Sequence, residues 1–231
     1  MKQNILTYAA AALLVAAVPF NAAVLAKAPD TIEGLYRVPS KRFDLVYLLP
    51  GADFRPYTKI MFDTPEVAFK KNWQRDYNGS TRSTQRRISD EDAQKALDAA
   101  RTGVVEVFTK VHTEGGYQVV TTPGPDVLRV RTSVINLDVV APDTMTAGRS
   151  RAFSQEAGSA TLVIEVRDST TGALLGTAVD TREIGDSMPY LRNSVTNRAD
   201  FRQAFERWAK ISLAGLNELK QLSPFELGAE K

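Results

Sequence analysis

His112 is the only histidine of the chain, and any nucleophilic or metal chemistry has to be measured against it. A catalytic histidine needs a nucleophile within reach and a group that orients its ring. Serines are plentiful, but none lies in a Gly-x-Ser-x-Gly nucleophile elbow. One histidine cannot build the multi-histidine metal sites of hydrolases. Its place near the end of a helical pattern reads as a surface or last-turn residue. An oxygen-only calcium or magnesium site needs clustered carboxylates. Asp53, Asp63, Glu66, Asp138 and Asp143 are scattered without the spacing of a calcium loop. Two acids suffice for glycoside hydrolysis, yet 27 acidic residues offer too many pairs for that fact to select any. The glycines are spread through turns and form neither a phosphate-cradling loop nor a dinucleotide fingerprint. No catalytic residue, metal or cofactor is assigned from the sequence.

The polar stretch from 70 to 88 offers binding chemistry instead. Lys70, Lys71, Arg75, Arg82, Arg86 and Arg87 face one acid, Asp76, with Trp73 and Tyr77 among them. Cations attract an anionic polymer or headgroup, and aromatic rings supply a stacking surface. Lys70, Lys71, Trp73, Arg75, Arg82, Arg86 and Arg87 are thus the candidate anion-binding residues, read as a basic loop over 70–87. The plain alternative is a solvated loop balanced by acids elsewhere. A second basic cluster, Arg149-Ser150-Arg151, precedes a hairpin signal. Phe201, Phe205 and Trp208 are spaced as a helix stripe and read as core packing rather than a ligand cage.

The compartment is written at the start of the chain. Lys2 is followed by an apolar run from Tyr8 to Val18, a break at Pro19, and Val24-Leu25-Ala26. Charge, short apolar core, helix breaker and small-residue exit make a secretory signal peptide, with cleavage expected after Ala26. The apolar run, at ~1.5 Å per residue, spans about half of a ~30 Å hydrocarbon core, which disfavours a membrane anchor. No later apolar run approaches the length of a membrane-crossing helix. The chain has no cysteine, which removes disulfides, thiol nucleophiles, thiolate metal sites and the cysteine that a lipoprotein anchor requires. A net charge of +2, with 29 Lys and Arg against 27 Asp and Glu, gives no general argument for nucleic-acid or membrane binding. The expectation is a periplasmic protein.

The elements that would position any site can be read from periodicity. Residues 27–42, broken by Pro29 and Pro39, read as a flexible lead-in to a single domain over 43–222, with a tail at 223–231. Phe43–Leu49 and Lys59–Phe62 read as strands, and Pro65 places the residues after it at a sheet edge or bulge. Ser89 with Asp92 three residues on marks a helix start, and Gly115-Gly116 its end. Ala93, Leu97, Ala100, Val104, Val107, Phe108 and Val111 fit its 3.6-residue period. A strand at Tyr117–Val120 comes next. Leu128, Val130, Thr132 and Val134 alternate with polar residues, and the phase flips to Ile135, Leu137 and Val139, which predicts a bulge near Val134. Ala160–Val166 and Ala173–Arg182 around Asp168-Ser-Thr-Thr-Gly172 predict a hairpin. Asn197 or Asp200 is expected to cap a last helix that ends before Pro224. Strand runs plus two amphipathic helices predict an α+β two-layer sandwich, its sheet mostly antiparallel and covered on one face.

Four stretches in order carry a family resemblance. Leu45-Val-Tyr with Pro50-Gly-Ala-Asp-Phe-Arg-Pro-Tyr57 resembles the opening signature of the bacterial envelope family called domain of unknown function 3313. Tyr117-Gln-Val-Val with Pro123-Gly-Pro-Asp-Val-Leu-Arg-Val-Arg131 is similar to its central strand segment. Ala160–Asp180 resembles its Asp-Ser-x-Thr-Gly hairpin, and Ala199-Asp-Phe to Phe205-Glu-Arg-Trp-Ala209 its closing helix. The resemblance implies an exported protein with no established activity and no catalytic residues to carry over. Many members are lipoproteins; the absent cysteine is a departure from that pattern. The leading expectation is a non-catalytic periplasmic binding or envelope-assembly module, with another envelope protein or an anionic envelope polymer as partner and no nucleic acid. A hydrolase using carboxylates or a serine with His112 is the alternative. A binder of anionic lipid or polysaccharide through loop 70–87 is a further one. The oligomeric state is not legible.

Overall fold

A computed structural model of the chain describes residues 28–80, 87–139, 152–154, 157–185, 190–192 and 194–226. The expected signal peptide and its cleavage at Ala26, together with Arg82, Arg86, Arg149 and Arg151, lie outside them.

Strands β1 (Thr31–Ile32), β2 (Leu35–Val38), β3 (Leu45–Leu48), β4 (Lys59–Phe62) and β5 (Glu66–Phe69) come first. Helices α1 (Trp73–Ser80) and α2 (Asp90–Glu114) follow, then β6 (Gln118–Val119) and the long β7 (Val127–Val139). Next come β8 (Ala152–Ser154), β9 (Gly158–Asp168), β10 (Leu174–Ile184), β11 (Tyr190–Arg192) and α3 (Ser194–Leu222). The main sheet runs β1-β2-β3-β10-β9-β7-β4-β6, and β5 joins the same edge of β7 beyond β4. Strands β8 and β11 pair separately. The fold is α+β, with a mostly antiparallel sheet. Its parallel pairings are β4 and β5 with β7, and β4 with β6.

Local chemistry explains the main elements. In the capping box of α2, the Ser89 hydroxyl accepts from the Asp92 N–H at 3.1 Å, and Asp92 accepts from the Ser89 N–H at 3.2 Å. Val104, Val107, Phe108 and Val111 of α2 and Phe205, Trp208, Ala209 and Leu216 of α3 enter the core against the sheet. On β7, after a buried Val127, the alternating buried positions are Leu128, Val130, Thr132 and Val134, and then the phase shifts to Leu137. The shift occurs at Asn136, whose φ is +53°, where the register with β9 also slips. This is the bulge that the sequence pattern predicts, displaced by two residues. The β9–β10 hairpin turns on Asp168, whose carboxylate accepts from the N–H groups of Thr170 and Thr171.

Three expectations are corrected. Residues 27–42 are not a flexible lead-in throughout. Residues 31–38 form a hairpin on β3, with Leu35 buried and Glu33-Gly34 both at positive φ in its turn. The tail is not free at its start. Ser223 caps α3 by donating to the Leu219 carbonyl, and Phe225 exchanges backbone hydrogen bonds with Gly51 and Ala52. The basic stretch is not all loop, because residues 73–80 are helical. Phe69 and Trp73 stack at 3.9 Å, and Tyr77 stands one helical turn on, so the aromatics there bind the helix to β5.

Candidate functional site

Between the C-terminal half of α3 and the helix-facing side of β3, β7, β9 and β10 lies a cavity of about 830 Å³. The sheet contributes Val46, Leu48, Leu128, Val130, Ile164 and Val166; α3 contributes Leu216, Leu219 and Leu222; Phe43, Phe54 and Phe225 complete the apolar wall. Two glycines shape it differently. Gly176 on β10 has no room for a side chain: a Cβ would stand 2.9 Å from Leu48 and 3.1 Å from the Tyr47 carbonyl. Gly215 on α3 has space in front of it, since a Cβ would meet only the Phe43 ring, at 3.8 Å. The absent side chain there leaves volume to the cavity.

The opening is polar. Strand β2 brings Arg37 to it, the loop between β2 and β3 brings Ser40, Lys41 and Arg42, and the other side carries Glu218 and Glu226. The Ser40 hydroxyl accepts from the backbone N–H groups of Arg42 and Phe43, each at 3.1 Å, and so fixes the loop. Arg42 pairs with Glu218 at 3.2 Å. Arg37 donates to the carbonyl of Ala28.

Deeper in the wall sit His112 and Ser212. His112 lies in the last turn of α2, as one of the two expected placements has it. It is a core residue rather than a surface one, 3% exposed and in contact with the rings of Phe62, Phe108 and Tyr117. The 3.6-residue period that buries Phe108 and Val111 carries His112 inward with them. Burial holds its pKa below the ordinary imidazole value, opposed by its contact with the Phe108 carbonyl. Its Nδ1 lies 2.8 Å from that carbonyl, which can only accept, so the single proton of the neutral ring is assigned to Nδ1. Nε2 is then the acceptor facing the Ser212 hydroxyl at 3.2 Å. The same hydroxyl lies 3.0 Å from the Ala209 carbonyl, so two acceptors compete for one proton.

The basic stretch is partly committed to structure. Lys70 pairs with Asp138 at 3.1 Å and Arg75 with Asp76 at 3.0 Å. Trp73 is buried, and its indole N–H donates to the Val139 carbonyl. Lys71 and Arg87 are exposed. Lys70, Lys71 and Trp73 do meet at one small cleft, with Tyr77 and Asp138. Among the described residues, no three His, Asp or Glu side chains converge as a metal site, and no helix is long and apolar enough to cross a membrane.

Two polar arrangements lie outside the cavity lining. Trp208, fully enclosed, donates from its indole N–H to Asp180 at 2.7 Å; Asp180 is 3% exposed. Arg182 Nε is 2.6 Å from the same oxygen but lacks hydrogen-bond alignment, so its contribution there is that of a nearby charge. The Tyr57 hydroxyl donates to Asp168 at 2.9 Å. Burial pushes the Tyr57 phenol far up, and the turn N–H groups, Thr171 first, hold Asp168 low.

Residues 37–211 match the model of a protein family of unknown function, DUF3313, over most of the chain. The chain belongs to the DUF3313 family. The match to this DUF3313 protein begins within β2, extends well into α3 and stops one residue before Ser212. No curated protein matches the sequence. Among solved structures, the PelC dodecamer from Paraburkholderia phytofirmans is 12% identical, with a TM-score of 0.31 over 70% of this chain and 95% of that one. A Xanthomonas campestris protein of family DUF330 is 14% identical, with a TM-score of 0.40 over 79% and 91%. A neuraminyllactose-binding hemagglutinin homolog from Helicobacter pylori, so described provisionally, is 10% identical, with a TM-score of 0.37 over 75% and 92%.

The cavity is the feature that sequence reasoning misses. Its lining comes from β3, β7, β9, β10 and α3, so only the sheet order assembles it. One signal was present: Gly215 lies inside an otherwise apolar helix stripe, where a helix favours almost any other residue.

Proposed function

We propose that this DUF3313 protein is an exported, non-catalytic binding module of the bacterial envelope that holds an apolar molecule in the cavity beside α3. The cavity carries the reading. Its volume of about 830 Å³ falls within the ~300–1,000 Å³ of small-molecule sites, and such sites combine apolar walls with a few polar groups. The signal-peptide pattern of residues 1–26 supports an address outside the inner membrane. The envelope would then supply ligands with apolar chains.

The test uses mature protein purified without detergent and the neutral fluorophore N-phenyl-1-naphthylamine, which brightens out of water. A saturable rise with one site per chain is expected. Absence of saturable binding would remove the reading. Fractionation of cells tests the address: processed protein belongs in the periplasmic fraction, and unprocessed protein in the cytoplasm would contradict it.

One observation favours a second reading, a hydrolase. Ser212 stands 3.2 Å from His112 Nε2 at the cavity wall, in the tautomer that a general base needs. Against it, the ring is oriented by a carbonyl rather than a carboxylate, and Ser212 lies within a helix whose neighbouring N–H groups are engaged in helical bonding, leaving none for an oxyanion. A Ser212→Ala variant that loses ester hydrolysis shown by the wild type would favour the hydrolase. Unaltered background hydrolysis is expected here. Binding of anionic polymer at 70–87 is the weaker reading, since Lys70 and Arg75 are already paired.

A further inference from the structure

The cavity opening has its own chemistry, and it narrows the class of ligand. We propose that the occupant is a single-chain amphiphile with an anionic head, its chain among Leu128, Val130 and Ile164 and its head at Lys41 and Arg37. This inference rests on the cavity-binding reading and adds the ligand class to it.

The buried part of such a ligand has to be apolar. The polar side chains set deep in the wall are His112 and Ser212, and they already bond to each other and to the Phe108 and Ala209 carbonyls. Both of their protons are thereby engaged, so an anionic head pushed that far would lose its water and find no free donor, a cost on the order of 1–3 kcal/mol or more. The head therefore stays at the opening.

The charges at the opening decide its sign. Arg42 and Glu218 neutralise one another. Lys41 is exposed and has no ion pair among the described residues. Arg37 bonds to a backbone carbonyl, which leaves its charge uncompensated. Glu226 is the remaining acid. Two uncompensated cations against one acid favour an anion; Arg37 is held on strand β2, and the Ser40 hydroxyl holds the loop of Lys41 in place through two backbone N–H groups. Leu222, 59% exposed at the same opening, continues the apolar wall to the surface and gives the chain a path inward. The volume of about 830 Å³ accepts an acyl chain with its head outside.

Decanoate, decanol and decylammonium share one chain and differ in the head. Each is titrated at neutral pH against bound N-phenyl-1-naphthylamine, with wild type and Lys41→Glu. Decanoate is expected to displace the probe at about two- to fivefold lower concentration than decanol, the scale of one partly exposed charge contact, with decylammonium weakest. Lys41→Glu should erase the preference for decanoate and leave decanol unchanged, with the far-ultraviolet circular dichroism retained. Equal displacement by decanoate and decanol in both proteins would overturn the anionic head while leaving an apolar cavity site intact. Displacement by none of the three would overturn the cavity reading with it. Displacement by phosphatidylglycerol vesicles at lower lipid concentration than decanoate would overturn the single-chain assignment.

Discussion

Gly215 gives the sharpest handle on the cavity, because stability and binding should respond to it separately. It lies within α3, where glycine is about 0.8–1.0 kcal/mol less favourable than alanine. A Cβ at this position meets nothing closer than the Phe43 ring, at 3.8 Å, which is ordinary van der Waals contact. Gly215→Ala should therefore stabilise the protein by about 1 kcal/mol, raising the thermal midpoint by ~2–4 °C for a domain of this size. Urea unfolding would show it as a higher midpoint at unchanged slope. Gly176→Ala is the contrasting control. There the Cβ would crowd Leu48 at 2.9 Å, the Tyr47 carbonyl at 3.1 Å and Val166 at 3.4 Å, so a loss of about 1–3 kcal/mol is expected. Gly215→Phe should fill the open volume, keep the circular dichroism of the wild type and abolish saturable fluorophore binding. The reasoning fails if Gly215→Ala lowers the midpoint, or if Gly215→Phe binds the probe at wild-type affinity.

Trp208→Phe removes the donor to a carboxylate that is 3% exposed, together with part of a fully buried ring. A loss of about 2–4 kcal/mol in urea unfolding is expected, and a smaller additional effect of Asp180→Asn in that background; a loss under about 0.5 kcal/mol would contradict the network. His112 is held below its ordinary pKa by burial, so below about pH 6.5 the unfolded chain takes up a proton that the folded chain refuses. Stability should fall as pH drops through that range, until the folded-state pKa is reached, and His112→Gln should flatten the slope; parallel curves for the two proteins would contradict it. Ser89→Ala removes the hydroxyl that caps α2 and should cost about 1 kcal/mol, most of it restored by Ser89→Asp; an unchanged urea midpoint would refute the cap.

The features legible in the sequence were local ones. Ser89 and Gly115 bracket α2 because caps are contacts between near neighbours. The β9–β10 hairpin was legible because Asp168 organises its own turn, and the phase flip in β7 because alternation exposes a bulge directly. Helix α1 was hidden by the polarity of residues 70–88: its stability comes from Phe69, Trp73 and Tyr77 stacking, a pattern masked by the lysines and arginines between them. The hairpin at residues 31–38 was hidden because two prolines flank it and its one buried anchor, Leu35, stands alone. The parallel placement of β4 and β5 along β7 comes from long-range pairing that periodicity does not encode. The candidate site was the least legible feature. Its walls are ordinary core residues, and they are distinguished by volume left empty between a glycine on α3 and the sheet. The lysines and arginines that looked most like a binding surface are in part ion-paired, whereas Lys41, in a loop that carries no motif, is at the opening.

The most direct test is a crystal structure of residues 27–231 with decanoate brominated at its terminal carbon, read by the anomalous signal of bromine. The account predicts one peak per chain, between α3 and the side chains of Leu128, Val130 and Ile164, with the carboxylate beside Lys41. Bromine bound elsewhere, or a cavity closed by the protein's own side chains, would contradict it.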